Sequence, residues 1–117
     1  MLQVDEQKRQ KAVDSYKLVG TLPEKSYDDI TQIASYICGT PIALITMLDY
    51  NRNFLKSHYG VPFNESPREI SFCTHAIQTK DPVFIIPDAR LDDRFKNNPF
   101  VTGDMKAIFY AGVSLID

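Results

Sequence analysis

The stretch IALITMLDYNRNFLKSHY, residues 42–59, decides the fold. Its first seven residues are apolar at nearly every position, which predicts a strand over residues 42–48 buried on both faces. DYNRN then turns the chain, and residues 54–59 read as a second strand. Lys56 and His58 fall on one side of that strand, the mark of a less buried, edge-like position. The two strands together predict an antiparallel hairpin.

Upstream, the pattern changes to helical spacing. Residues 1–20 read as a first helix with a narrow apolar stripe of Ala12, Val13, Tyr16 and Val19. Its earlier turns are polar all round, with Asp5 and Arg9 spaced for an i,i+4 pair. Such a helix packs by its last turns only, or pairs with a partner chain. Gly20 is a plausible stop. A second helix is predicted over residues 23–38, where Tyr27, Ile30, Ile33, Ala34 and Ile37 recur at helical spacing. Pro23 suits its first turn, and Gly39 followed by Pro41 ends it.

Downstream, residues 60–70 read as loop. Ser71 is then a candidate N-cap for a short helix over residues 72–79. Residues 83–86 form a third strand between Pro82 and Pro87, and residues 108–116 a fourth. On the fourth, Phe109, Ala111, Val113 and Leu115 share one face, expected to be the helix-side core. Ile108, Tyr110, Gly112 and Ser114 share the other, which could floor a pocket. Between these strands lie residues 88–106, almost patternless, with short helical turns expected near Asp92 and Asn97. A loop that long in a compact domain is uncommon and usually functional. The expected fold class is α+β: an antiparallel sheet with the N-terminal helices on one face and the short helix plus long loop over the other. The loop should fold back over the sheet and enclose a cavity there.

The 117-residue chain suits one domain, spanning residues 1–117. Its net charge of −2 and lack of a basic cluster give no footprint for nucleic acid, and argue weakly against anionic membranes. Two cysteines, Cys38 and Cys73, make no disulfide framework, so a cytoplasmic setting with reduced thiols is expected. The apolar run IALITML is too short to span a bilayer. The N-terminus is charged where a signal peptide needs an apolar stretch. No glycine-rich phosphate loop, G-x-S-x-G elbow or paired helical histidines occur.

The stretch SFCTHAI, residues 71–77, sets a thiol and an imidazole two residues apart. On a helix, residues two apart point about 200° away from each other, so Cys73 and His75 are not a catalytic pair. A first-turn thiol can have a lowered pKa, but the favoured reading of Cys73 is a small inert core residue. His75 is read as a hydrogen-bonded or exposed histidine, because two ligands in tandem make a poor zinc site. Asp88 is read as an Asx-turn carboxylate, or alternatively as an anchor at a pocket mouth. Arg94 follows Asp92 and Asp93, so a local ion pair is favoured over a grip on an anionic ligand. Phe95 and Phe100 should pin the loop to the domain. Tyr110 could bond a ligand, though a buried tyrosine more often bonds backbone.

Four segments in order resemble one family: TQIASYICGTPIALITMLDYNRNFLKSHYG, PREISFCTHAI, PVFIIPDARLDDRFKNNPFVTGD and IFYAGVSLI. From about Asp14 to the end, the sequence resembles a GAF domain. The likeness is to those at the front of bacterial sensor histidine kinases and diguanylate cyclases, in two-component and related signal transduction. The resemblance implies an antiparallel sheet with helices on one face and a ligand cavity on the other. It implies a sensory domain, non-catalytic by itself, that binds an unidentified small molecule and self-associates as a homo-oligomer, with residues 1–20 as a candidate dimerising helix. Any activity would then reside in an effector such as a histidine kinase or cyclase. Phe72, Cys73, His75, Asp88, Arg94, Phe95 and Tyr110 match the recurring motif and are the implied ligand-binding residues.

No cofactor is identified by the resemblance. Thr74 separates Cys73 from His75, unlike the Cys-His pair of bilin-binding members, and NRNFLKSHY lacks the acidic pair of members that bind cyclic nucleotides. The expectation is therefore that the ligand is neither a bilin nor a cyclic nucleotide. A thiol-dependent reductase of the free methionine sulfoxide reductase class, using Cys73, is one alternative. A purely structural dimerisation module is another. Members of the family continue past FYAGVSLID with a further strand and helix, so the sequence is expected to be a partial GAF domain. Strands 42–48 and 108–116 are expected to pair with each other or with a second copy.

Overall fold

The computed structural model describes residues 6–78, 83–103 and 105–115. They form an α+β arrangement of short helices and two antiparallel sheets, in agreement with the expected class. The chain divides into two compact units, an N-terminal one over Glu6–Arg68 and a C-terminal one holding Glu69–Asp117.

In the N-terminal unit, helices α1 (Glu6–Tyr16) and α2 (Lys25–Cys38) precede strands β1 (Ala43–Leu48), β2 (Arg52–Tyr59) and β3 (Glu65–Pro67). The sheet order is β1-β2-β3, so β2 is the central strand and β1 an edge. This reverses the expected roles. Asn53, Phe54, Leu55, Lys56 and Ser57 are all buried, whereas Leu44 of β1 is exposed. Two causes are visible. Residues 65–67, expected to be loop, add a strand beyond β2, with Asn53 opposite Ser66. The β1–β2 ladder also slips: Ile45 faces Ser57 and Thr46 faces Leu55, leaving Lys56 as the extra residue of a bulge. A bulge re-aims side chains and breaks strict alternation, so Lys56 turns inward instead of standing beside His58.

α1 ends earlier than Gly20, at Lys17, which takes a left-handed φ of 55°. The first five residues, and with them the expected Asp5–Arg9 pair, lie outside the described residues. Arg9 bonds Glu6. Of the expected stripe, Val13 is buried but Tyr16 is exposed.

α2 starts at Lys25, with Pro23 outside it and Glu24 at the N-cap, and stops at left-handed Gly39. Of the expected stripe, Ile30, Ile33 and Ile37 are exposed, as is Tyr36 at 89%, whereas Tyr27 and Ala34 are half-buried. The buried face is polar, carrying Thr31 and Ser35. Thr31 Oγ1 lies 2.9 Å from Ser57 Oγ, which donates to Asp28 Oδ1 at 2.6 Å, and Ser35 Oγ bonds the Thr40 carbonyl. The helix meets the sheet through hydroxyls because β2 offers Ser57 and Lys56 there, and buried polar groups require partners.

The C-terminal unit contains α3 (Phe72–Ala76), β4 (Val83–Ile86), a 3-10 turn (Ala89–Leu91), α4 (Pro99–Thr102) and β5 (Tyr110–Val113). Ser71 caps α3 as expected, its Oγ accepting the Cys73 amide at 3.1 Å. The proposed end of that helix at Thr79 lies outside the described residues, as does Ile116. β4 pairs antiparallel with β5, Ile86 opposite Tyr110 and Phe84 opposite Gly112. Among the described residues β5 pairs with β4 and β1 with β2, so the first of the two expected pairings, of β1 and β5 with each other, does not form.

The two faces of β5 are also reversed from expectation. Phe109, Val113 and Leu115, taken as helix-side core, are exposed, Leu115 at 83%. The packed face carries Tyr110, with Phe84 and Ile86 beside it across the ladder. Residues 88–106 are not a bare loop. Ala89, Phe95 and Val101 are buried with Phe72 and Ile86 as the core of the unit. Asn98 caps α4, accepting the Phe100 amide, and donates Nδ2 to the Ile70 carbonyl at 2.8 Å. The Ala107 amide returns to the Phe100 carbonyl at 2.8 Å.

Candidate ligand site

Six of the seven candidate residues assemble in the C-terminal unit. α3 sets Phe72 inward, where its ring meets Phe95 edge-on at 4.6 Å and Tyr110 at 5.1 Å. Such edge-to-face pairs are preferred geometries for aromatic quadrupoles. His75, one helical turn on, lies edge-on to Phe95 at 4.9 Å. Cys73 Sγ is 3.4 Å from the Tyr110 hydroxyl. Arg94 stacks its guanidinium 5.2 Å from both Phe84 and Phe95. The result is an aromatic base of Phe72, Phe84, Phe95 and Tyr110. At its margin are a thiol, a phenol, an imidazole and a guanidinium.

Asp88 stands apart. Its Oδ1 accepts the Arg90 amide at 3.0 Å and its carboxylate grips the Arg90 guanidinium at 2.9 and 2.7 Å. Four residues later the same motif recurs. Asp92 accepts the Arg94 amide at 2.9 Å and binds Arg94 Nε and Nη2 at 3.0 and 2.8 Å. Both are D-x-R turns, in which one aspartate satisfies an amide and a fork-shaped cation together. Asp88 is therefore a turn carboxylate, held below its ordinary range by Arg90. Arg94 has its charge balanced by Asp92, whose carboxyl Arg94 in turn holds down.

The electrostatics of the cluster follow from burial. Desolvation pushes the Tyr110 phenol well up, and Cys73 adds to the shift. Desolvation, followed by the nearby Arg94 charge, lowers the His75 imidazole against an opposing pull from Asp92. This favours the neutral imidazole, which offers one donor and one acceptor nitrogen. Gly112 makes the seat for Tyr110. A Cβ there would lie 2.5 Å from the phenol oxygen and 2.9 Å from the ring carbon that bears it.

Phe84, Asp92 and Gly112 belong to this arrangement but are not among the sequence candidates. A signal for Phe84 exists: it alternates with Ile86 on β4, on the same sheet face as their cross-strand partners Gly112 and Tyr110. The signal for Asp92 is the repeated D-x-R spacing. Among the described residues, no group of three or more His, Cys, Asp or Glu side chains is placed to hold a metal ion. A shallow groove of about 380 Å3 lies on α2, lined by Asp29, Gln32, Ile33 and Tyr36, none of them a candidate residue. Among the described residues, no helix is long and apolar enough to cross a membrane.

No protein-family model matches the sequence. The chain is 40% identical over 111 residues to a cyclic di-GMP phosphodiesterase of Pseudomonas aeruginosa. The match covers 95% of this chain and 19% of the relative, so the chain spans about a fifth of that protein's length. The likeness is to a segment of a bacterial cyclic di-GMP signalling protein, consistent with a regulatory, signal-transduction setting. It corrects the expectation that the chain is not an enzyme, with any activity left to a histidine kinase or diguanylate cyclase: the relative is itself named an enzyme, a phosphodiesterase.

Proposed function

We propose that the chain is a GAF-type sensory segment of a cytoplasmic bacterial cyclic di-GMP phosphodiesterase, and that its aromatic cluster binds a small molecule that regulates the enzyme. The identity to the Pseudomonas phosphodiesterase, which runs along nearly the whole chain, supports the enzyme context. The observation that carries the sensory reading is the convergence of Phe72, Phe84, Phe95 and Tyr110 with the polar margin of Cys73, His75 and Arg94. Binding sites for small organic molecules combine apolar walls with a few directed polar groups, and the rings here, packed against one another as the core of the unit, supply the apolar part. With Asp92 neutralising Arg94, the cluster suits a neutral or amphipathic planar molecule better than a polyanion. Self-association is supported by two uncovered apolar surfaces, one on α2 (Ile30, Ile33, Tyr36, Ile37) and one on the β4–β5 sheet (Val83, Ile85, Val113).

Native mass spectrometry of the protein as purified tests this. The expected result is a dissociable adduct of small mass. It should be lost in Tyr110→Phe and Arg94→Gln variants that melt like the parent, and weakened but still present in Cys73→Ser, whose hydroxyl keeps a polar group beside Tyr110. An adduct-free protein whose melting no compound in a metabolite library raises would overturn the reading. A turnover of substrate that disappears in Cys73→Ser would replace it with the thiol-reductase one.

A further inference from the structure

We propose that α1 is a releasable strap, clasped by charge to the β1–β2 turn near its N-terminal end and hinged at residues 17–20. The clasp is a set of directed polar contacts at one place. Arg9 Nη1 donates to the Leu48 carbonyl at 2.7 Å, and Gln10 Nε2 donates to Asp49 Oδ1 at 2.8 Å. The Glu6 carboxylate joins Arg9, on its own helix, to Arg68, whose Nη1 lies 2.7 Å away. Arg68 Nη1 also donates to the Asp49 carbonyl at 3.0 Å. Carbonyls of the turn and a carboxylate of the helix thus meet two guanidiniums.

Little apolar burial backs the clasp, since Val13 is the buried apolar residue of the helix and Tyr16 is about half exposed. The opposite end of the strap is fixed differently. Lys56 is fully buried, and its Nζ holds Thr21 Oγ1, the Leu22 carbonyl and Glu24 Oε2 at 2.6–2.7 Å. Between this anchor and α1 lie two left-handed residues, Lys17 at φ 55° and Gly20 at φ 79°. Gln10 is buried and the Arg9 and Arg68 side chains mostly so, but both ion pairs of the clasp run through Glu6, which is half-exposed, and the segment opens first at these pairs and not at the buried anchor. Exposed ion pairs are individually weak and screened by salt, and segments with few buried apolar contacts open at the lowest free energy.

Hydrogen exchange of the full chain, read by mass spectrometry, tests the strap. Raising sodium chloride from about 0.01 M to about 1 M shortens the screening length from ~30 Å to ~3 Å. Exchange of amides 10–16 should then rise about tenfold, with amides 53–57 of β2 unchanged. Arg68→Ala and Glu6→Gln should each show the fast exchange already at low salt. The proposal is overturned if amides 10–16 ignore both salt and substitution, or if β2 loses protection in step with them. Should either variant fail to fold, the salt series on the unaltered chain decides alone.

Discussion

The two units solve the problem of a small interior in opposite ways. The C-terminal unit is built around rings, with Phe72, Phe95 and Tyr110 meeting edge-on over Ile86, Ala89 and Val101. The N-terminal unit buries Gln10, Thr31, Ser35, Asn53, Lys56 and Ser57 beside a few apolar residues, and turns the apolar stripe of α2 outward. A ring interior draws on area removed from water, roughly 25 cal/mol per Å2 of apolar surface. A polar interior holds only while its donors and acceptors are matched, because each unmatched one costs about 1–3 kcal/mol. The aromatic unit should therefore be sensitive to volume and the polar unit to partners and charge.

The sharpest break of that contrast is at Phe95, 1% exposed. Phe95→Ala should cost about 3–5 kcal/mol in denaturant unfolding, as for other buried aromatics. A loss below about 1 kcal/mol would mean that the rings are not the core. In the polar unit, Lys56→Ala should cost about 2 kcal/mol, by removing three hydrogen bonds and a buried aliphatic stem. Lys56→Met separates the two contributions, since it keeps the stem and drops the charge. If Met restores the parent stability, packing and not partner matching governs this site, and the contrast fails there.

The smallest expected effect is in acid. The Arg9 bond, then the Arg68 bond, draws the Glu6 pKa from its ordinary 4.5 down to about 2. The folded value lies below the unfolded one, so the stabilisation is complete above about pH 4.5. It is lost as pH falls from there toward 2. Glu6 is about half exposed, so solvent screening keeps the effect slight. A melting series across that window should show a shallow decline in the parent that Glu6→Gln lacks. Identical slopes would remove Glu6 from the clasp.

Legibility followed the same division. Residues 83–86 were readable as a strand because Pro82 and Pro87 bracket an apolar run, and Ser71 as a cap because its hydroxyl acts locally. The candidate residues were readable as types, and six of the seven do converge. The roles of β1 and β2 were not readable, because a one-residue bulge at Lys56 shifts which side chains face inward and leaves no mark in hydrophobicity. The outward face of α2 was not readable either, since periodicity reports where apolar residues line up and not which side meets the sheet. Asp88 matched the candidate motif yet its carboxylate binds Arg90, two residues on, in a local turn, so a motif position is not yet a site position.

By itself, the order of residues determined the α+β class, the capped start of α3, the span of β4 and the local D-x-R turns. All of these depend on interactions between residues a few positions apart. Which strand became central, which face of α2 and of β5 was covered, and whether Lys56 stayed in water were decided only in three dimensions. Those choices depend on partners far away in the chain, and a buried charge or hydroxyl is tolerated only where such partners arrive.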